Sequence, residues 1–227
     1  MQVKLVNENS LIIYFADAVS IETADFINYA YRRLNEALGD VIESIIPSYT
    51  SILVSCNSRK IGLQHFLRRV NALVNTLHAN DITDFKPQQI ELPVYYGEEV
   101  ALDHQDISQH TGLAFSEIVK LHTSEAYRVF AIGFAPGFAF LGNVSDKIAM
   151  PRKKSPRTAV PKGSVGIADR QTAVYPNQSP GGWQVIGRTP IELIDITTAN
   201  LSKFSMGDQV KFKAIDKQTF LDMGGIL

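Results

Sequence analysis

The stretch Ser164-Val165-Gly166-Ile167-Ala168-Asp169-Arg170-Gln171-Thr172-Ala173-Val174-Tyr175-Pro176 decides the fold class. It holds two short β-rich runs, 164–168 and 172–175, parted by a polar turn and stopped by a proline. Working outward, the same rhythm covers the C-terminal half. Runs at 127–134, 184–186, 191–196 and 209–215 predict further strands, punctuated by Pro136, Pro151, Pro156, Pro161, Pro176, Pro180 and Pro190. Short strands between Gly/Pro turns predict a barrel or sandwich rather than a parallel sheet. Two short helices are expected ahead of most of these strands, at 102–110 and 116–122, and a terminal helix at 216–223.

Residues 1–95 read differently. Ser10-Leu11-Ile12-Ile13-Tyr14-Phe15 has the composition of a buried strand. Ser20 caps an apolar helical stripe running from Ile21 to Leu38, with Gly39 as its C-terminal cap. Strands at 41–46 and 51–55 flank Pro47-Ser48-Tyr49-Thr50, a hairpin turn. Leu63, Phe66, Val70, Leu73, Val74 and Leu77 define one face of a second helix, and a strand at 89–96 closes the series. Strand, helix, strand, strand, helix, strand is the order of a ferredoxin-like split unit. The fold class expected is therefore α+β, with a ferredoxin-like α/β subdomain at 1–95 and a β-barrel or sandwich at 96–227.

Composition narrows the function. With 22 Lys and Arg against 23 Asp and Glu in 227 residues, the net charge of -1 excludes nucleic-acid binding through bulk positive charge. The single cysteine, Cys56, excludes an internal disulfide and a cysteine-cluster metal site. It lies in a strand-like run, where a small buried core residue fits better than a nucleophile. The first residues lack a basic segment followed by an apolar one, and the longest apolar run, 129–141, is interrupted by Gly133, Pro136 and Gly137. No signal peptide or membrane span is expected, and the reading is a soluble, cytoplasmic protein. A phosphate loop, a dinucleotide fingerprint and a Gly-x-Ser-x-Gly elbow are all missing, and no histidine pair has metal-ligand spacing.

What remains is a set of unusual loops. Gly133-Phe134-Ala135-Pro136-Gly137-Phe138-Ala139-Phe140-Leu141-Gly142 mixes three aromatics with glycines that permit positive φ or a close approach. Such a segment suits a tightly turned core or an aromatic wall. A basic loop carries Arg152, Lys153, Lys154 and Arg157, with Lys162-Gly163-Ser164 following. It reads as a solvated face or as a pocket for carboxylate or phosphate, with Arg157 suited to a forked contact. In Ser179-Pro180-Gly181-Gly182-Trp183 the glycines expose backbone N–H groups where an anion can sit, and Trp183 serves core packing or ligand stacking. His122, at a helix end, is either a general base or a charge partner for that end, and Gln171 can donate or accept in a polar pocket.

These loops, together with Pro161-Lys162-Gly163-Ser164-Val165, Gln171-Thr172, Tyr175-Pro176 and Ile186-Gly187-Arg188-Thr189-Pro190, closely resemble the carboxyltransferase-domain family that contains the B subunit of 5-oxoprolinase. That family also includes a sporulation kinase inhibitor and the first half of the carboxyltransferase module of allophanate hydrolase and urea carboxylase. The resemblance covers nearly the whole chain. Two departures are local: Phe140 stands where the family usually has Tyr, and Asp169-Arg170 stand where glycines are common. The resemblance implies a cyclophilin-like C-terminal barrel and a larger partner of related fold, the C subunit of 5-oxoprolinase, acting with an A subunit. Together such subunits hydrolyse 5-oxo-L-proline to L-glutamate with ATP as co-substrate, brought with Mg2+, and no tightly bound cofactor or resident metal is implied. On this reading His122, Arg157 and Gln171 are the catalytic candidates. The binding candidates are Phe134, Gly137, Phe138, Lys162, Gly163, Ser164, Pro180, Gly181, Gly182 and Trp183. Inhibition of a histidine kinase's autophosphorylation and a part in a biotin-dependent urea carboxylase or allophanate hydrolase are the alternatives.

Overall fold

A computed structural model describes residues 1–82, 87–197 and 201–227. Two compact units divide the chain, Met1–Lys86 and Pro87–Leu227. The first contains β1 (Gln2–Leu5), β2 (Ser10–Tyr14), α1 (Ile21–Leu38), β3 (Ile42–Pro47), β4 (Ser51–Cys56) and α2 (Leu63–Val74). Its antiparallel neighbours run in the order β1-β2-β4-β3. Leu11, Ile13, Ile52 and Val54 of the two central strands are fully buried, as are Ala24, Ile27, Ala30 and Leu34 of α1 and Phe66 and Val70 of α2. Ser20 caps α1 as expected, its Oγ accepting from the Thr23 N–H at 3.0 Å.

The split βαβ arrangement is present, because β4 inserts between β2 and β3. Its outer strand has a different source. The segment 89–96 does not close this sheet, and its place beside β2 is taken by β1, a four-residue run that is not among the expected strands.

Residues Gln89–Tyr95 instead form β5 of the second unit. Leu92 and Val94 are buried in the barrel core, so the unit boundary falls before this strand and not at 95/96. After β5 come α3 (His104–Thr111), α4 (Phe115–Ser124), β6 (Ala126–Ile132), β7 (Ala139–Gly142), β8 (Arg157–Val160), β9 (Ser164–Ala168) and β10 (Gln171–Val174). The unit ends with β11 (Ser179–Gly181), β12 (Gln184–Arg188), β13 (Gln209–Ile215) and α5 (Lys217–Asp222). Among the described residues seven strands close a barrel, β10-β7-β6-β13-β5-β12-β9, while β8 and β11 pair separately. The expected α+β class with a C-terminal barrel therefore stands. β5 and β13 are parallel over their whole length, which locks the two ends of this unit together.

Alternation along the strands produces two apolar layers. Val165, Ile167 and Val174 point into the barrel core with Val129, Leu141 and Phe212. Ala168, Ala173 and Tyr175 face the other way and pack with Phe138, Val160, Trp183 and Val185. This outer layer carries the site described next. The β9–β10 turn is Asp169-Arg170, and Asp169 has φ +52, a conformation that glycine adopts without strain. The expected strand at 191–196 is a loop. Leu193 anchors it in the core, and its backbone bonds include those of Lys203 N–H to the Leu193 carbonyl and Asp195 N–H to the Leu201 carbonyl. No helix among the described residues is long and apolar enough to cross a membrane.

Candidate functional site

The two aromatic loops converge on one pocket. Phe134 and Phe138 come from the β6–β7 turn, Phe140 from β7, Tyr175 from the end of β10, Pro180 and Gly181 from β11, and Gly182-Trp183 from the link to β12. With Arg152 they line a cavity of about 160 Å3. Phe138 is the hub, and four rings meet it edge-to-face: Phe134 at 5.2 Å, Phe140 at 4.9 Å, Tyr175 at 5.4 Å and Trp183 at 5.9 Å.

Backbone geometry fixes the rim. Phe134 has φ +74 and is 68% exposed, an apolar side chain held out to solvent on a strained backbone. The Gly133 N–H donates to the Phe138 carbonyl and the Phe138 N–H to the Ala135 carbonyl, which hold that turn. A Cβ on Gly181 would lie 2.2 Å from the Tyr175 hydroxyl, so glycine is required for that hydroxyl to sit beneath β11.

The basic loop divides its cations. Arg157 does make a forked contact, but to Asp103, with Nη1 and Nη2 each 2.7 Å from a carboxylate oxygen. Asp103 also accepts from Lys153 Nζ at 2.6 Å and from the Val185 N–H at 2.7 Å. Burial alone would raise its pKa, yet the Arg157, Lys153 and Val185 hydrogen bonds outweigh burial and hold it below the ordinary value. Arg157 is thus a structural fork tying β8 to the start of α3, where the expectation was a catalytic residue with its fork open to a bound anion. Arg152 is the cation that reaches the pocket, with its guanidinium carbon 5.8 Å from the Trp183 ring centre, within cation–π range. In the sequence Arg152 is one member of a basic run, and nothing in the run says which members an acidic residue elsewhere will claim.

His122 is fully buried and lies outside the pocket. Its ring stacks 4.5 Å from Phe212 and 5.3 Å from Tyr127. Nδ1 lies 2.9 Å from the Tyr96 hydroxyl and Nε2 2.9 Å from Thr172 Oγ1. Burial pushes its pKa down to about 3. A general base or charged helix-end partner is the wrong description, since a neutral ring sealed in the core can meet no substrate.

Gln171 is half-buried at the start of β10, opposite Gly142 and Ala168. Gly137 has φ +79 and belongs to the turn itself. Lys162 pairs with Glu192 at the rim of a second cavity, which Gly163 also lines. Gly163 has φ +78, and its amide donates to the Tyr175 carbonyl while its carbonyl accepts from the Thr189 N–H. Its backbone groups are therefore engaged within the fold rather than offered to a ligand. Ser164 is fully buried on β9. So Phe134, Phe138, Pro180, Gly181, Gly182 and Trp183 come together as expected, joined by Arg152, Phe140 and Tyr175, while His122, Arg157, Gln171, Lys162, Gly163 and Ser164 lie elsewhere. Chemically, the pocket offers flat apolar walls for a small ring and one cation for an oxyanion at its mouth. Among the described residues no three His, Cys, Asp or Glu side chains are grouped to hold a metal ion.

The chain is similar to known proteins over most of its length. Residues 1–204 match the family described as carboxyltransferase domain, subdomain C and D. The B subunit of 5-oxoprolinase from Bacillus subtilis is 33% identical, with 96% of this chain and 95% of that protein covered. Among solved structures, that of TTHA0988 superposes with a TM-score of 0.78 at 27% identity, covering 95% of this chain; the chain spans 40% of that longer one. The urea carboxylase of Kluyveromyces lactis, at 16% identity and TM-score 0.76 over 97% of this chain and 22% of that one, shares the fold.

Proposed function

The chain belongs to the carboxyltransferase-domain family, subdomain C and D, and from that premise we propose that it is the B subunit of an ATP-dependent 5-oxoprolinase. The observation that carries this reading is its likeness, over nearly the full length of both chains, to the 5-oxoprolinase B subunit of Bacillus subtilis. In the proposed reaction 5-oxo-L-proline, ATP and water become L-glutamate, ADP and phosphate. A larger C subunit of related fold and an A subunit complete the enzyme, and this chain alone is inactive.

The pocket supports the reading by size and chemistry. A five-membered lactam is a flat ring, and Phe138, Phe140 and Trp183 offer it apolar faces that exclude water. Arg152 stands where a carboxylate or a developing oxyanion can be stabilised. About 160 Å3 is too little for a whole nucleotide, so this chain contributes a wall of a cleft that a partner completes. ATP, entering with its own Mg2+, supplies the phosphoryl group that turns the stable lactam oxygen into a leaving group. The exposed Phe134 is the side chain placed to meet the partner.

Co-expression of the chain with its partner subunits, followed by ATP hydrolysis with and without 5-oxo-L-proline, tests this reading. Hydrolysis that depends on 5-oxo-L-proline and vanishes when this chain is omitted is the expected result. A complex that does not form, or ATPase indifferent to 5-oxo-L-proline, overturns it.

A further inference from the structure

A second cavity, of about 370 Å3, lies between the 161–163 turn, residues 188–192 at and beyond the end of β12, and residues 224–226. Arg188 lines it and is only 7% exposed. Nη1 donates to the Ile226 carbonyl at 2.8 Å, while Nε is buried with no hydrogen-bond partner. Among the described residues no carboxylate pairs with this guanidinium, and burial pulls its pKa below the ordinary arginine value. Ser164 sits directly opposite on β9, fully buried, and its hydroxyl also has no partner. Opposed residues of an antiparallel pair present their side chains on one face. Two unpartnered buried polar atoms thus share the face beside the cavity, a rare arrangement in a native fold. A buried cation without a counter-ion is costly, and an anion supplied from solution would complete it.

The charges select the anion. Lys162 at the rim is already paired with Glu192, so Arg188 is the one uncompensated cation among the described lining residues. A dianion such as phosphate would meet the Glu192 carboxylate with a single guanidinium to balance it. Pro161, Pro190, Ile191 and Ile226 give the walls an apolar character suited to an organic body. We propose that this cavity is a binding site for a compact organic monocarboxylate, held by the guanidinium of Arg188 and separate from the aromatic pocket. A planar carboxylate suits the guanidinium of Arg188, whose fork beyond the Nη1 bond to Ile226 can serve an oxyanion as a lysine ammonium could not. The proposed 5-oxoprolinase reading supplies only one of the probes.

Isothermal titration of the full chain with 5-oxo-L-proline, cyclopentanecarboxylate, 5-oxo-L-prolinamide and inorganic phosphate tests the site. Both carboxylates should bind saturably, the amide should not, and phosphate should bind at least tenfold more weakly. Arg188→Met should weaken carboxylate binding more than tenfold, with a Tm no lower than that of the unsubstituted chain because an unpaired buried charge has gone. Should Arg188→Met fail to fold, Arg188→Lys keeps the charge, loses the fork and should bind about tenfold more weakly. Arg33→Gln, an exposed arginine of α1 outside both pockets, should bind as the unsubstituted chain does. The proposal is overturned if neither carboxylate binds or if binding survives loss of the Arg188 fork. Carboxylate-free Arg188 in a complex with 5-oxo-L-proline-dependent ATPase defeats this inference alone, while carboxylate binding without such ATPase defeats the enzymatic reading alone.

Discussion

Thr172 donates its hydroxyl to the Gly166 carbonyl at 3.0 Å, so toward His122 it can only accept. Nε2 of His122 therefore carries the proton, and Nδ1 accepts from the Tyr96 hydroxyl. Protonating Nδ1 as well would turn the Tyr96 hydroxyl from donor to acceptor and leave a charge buried in the core. The pKa falls from 6.5 to about 3 through burial, and the sign of the pH effect follows. The unfolded chain takes up a proton below about 6.5 that the folded chain refuses until about 3, so the barrel loses stability as pH falls through that window, by up to ~1.4 kcal/mol per pH unit. Urea unfolding followed by the single tryptophan, Trp183, should show a lower midpoint at pH 5 than at pH 7.5, and His122→Gln should remove most of that difference. Equal pH dependence in both proteins would contradict the buried neutral histidine. Residue chemistry was only half legible in the sequence. The forked contact of Arg157 followed from its type, but its partner Asp103 lies 54 positions away, and a position at a helix end did not show that His122 turns inward.

At the scale of elements, one carboxylate joins three of them. Asp103 immediately precedes α3, accepts the Val185 N–H of β12 and the fork from Arg157 of β8, and is almost fully buried. Asp103→Ala leaves Arg157 and Lys153 without their shared anion and should cost about 3–5 kcal/mol, read as a lower Tm. The depressed pKa of Asp103 means that its contribution is complete above the ordinary value near 3.8 and is lost as pH falls through its lower folded value. Gly181→Ala forces a methyl onto the Tyr175 hydroxyl and should loosen the wall of the aromatic pocket, visible as altered Trp183 fluorescence at neutral pH. Unaltered fluorescence and Tm would contradict the close approach. Strands whose two faces are both buried, such as β9, were plain from composition, and so was β13. β7 was hidden within a Gly/Pro-rich loop, and the extended 191–196 segment resembled a strand because local pattern cannot report whether an edge is available to pair with it.

For the whole molecule, alternating strands and helices announced the class, but they could not allocate residues 89–95. That strand pairs with β13, more than a hundred residues on, and such a pairing is set by the closure of a barrel rather than by local pattern. The aromatic pocket was legible because its loops are dense in glycine and large rings, whereas the Arg188 cavity was not, since it depends on which buried cation ends without a counter-ion. Within an assembled complex, Arg152→Gln should lower kcat/KM for 5-oxo-L-proline about tenfold or more, the worth of one charge-assisted contact of ~1.5–3 kcal/mol, with Tm unchanged. Arg157→Gln should instead lower Tm. The most direct measurement is of both products together, L-glutamate and ADP released by the reconstituted complex given 5-oxo-L-proline and ATP. Equal amounts of the two, falling together in Arg152→Gln, are the predicted result; ADP without glutamate, or neither product when all the subunits are assembled, would contradict the assignment.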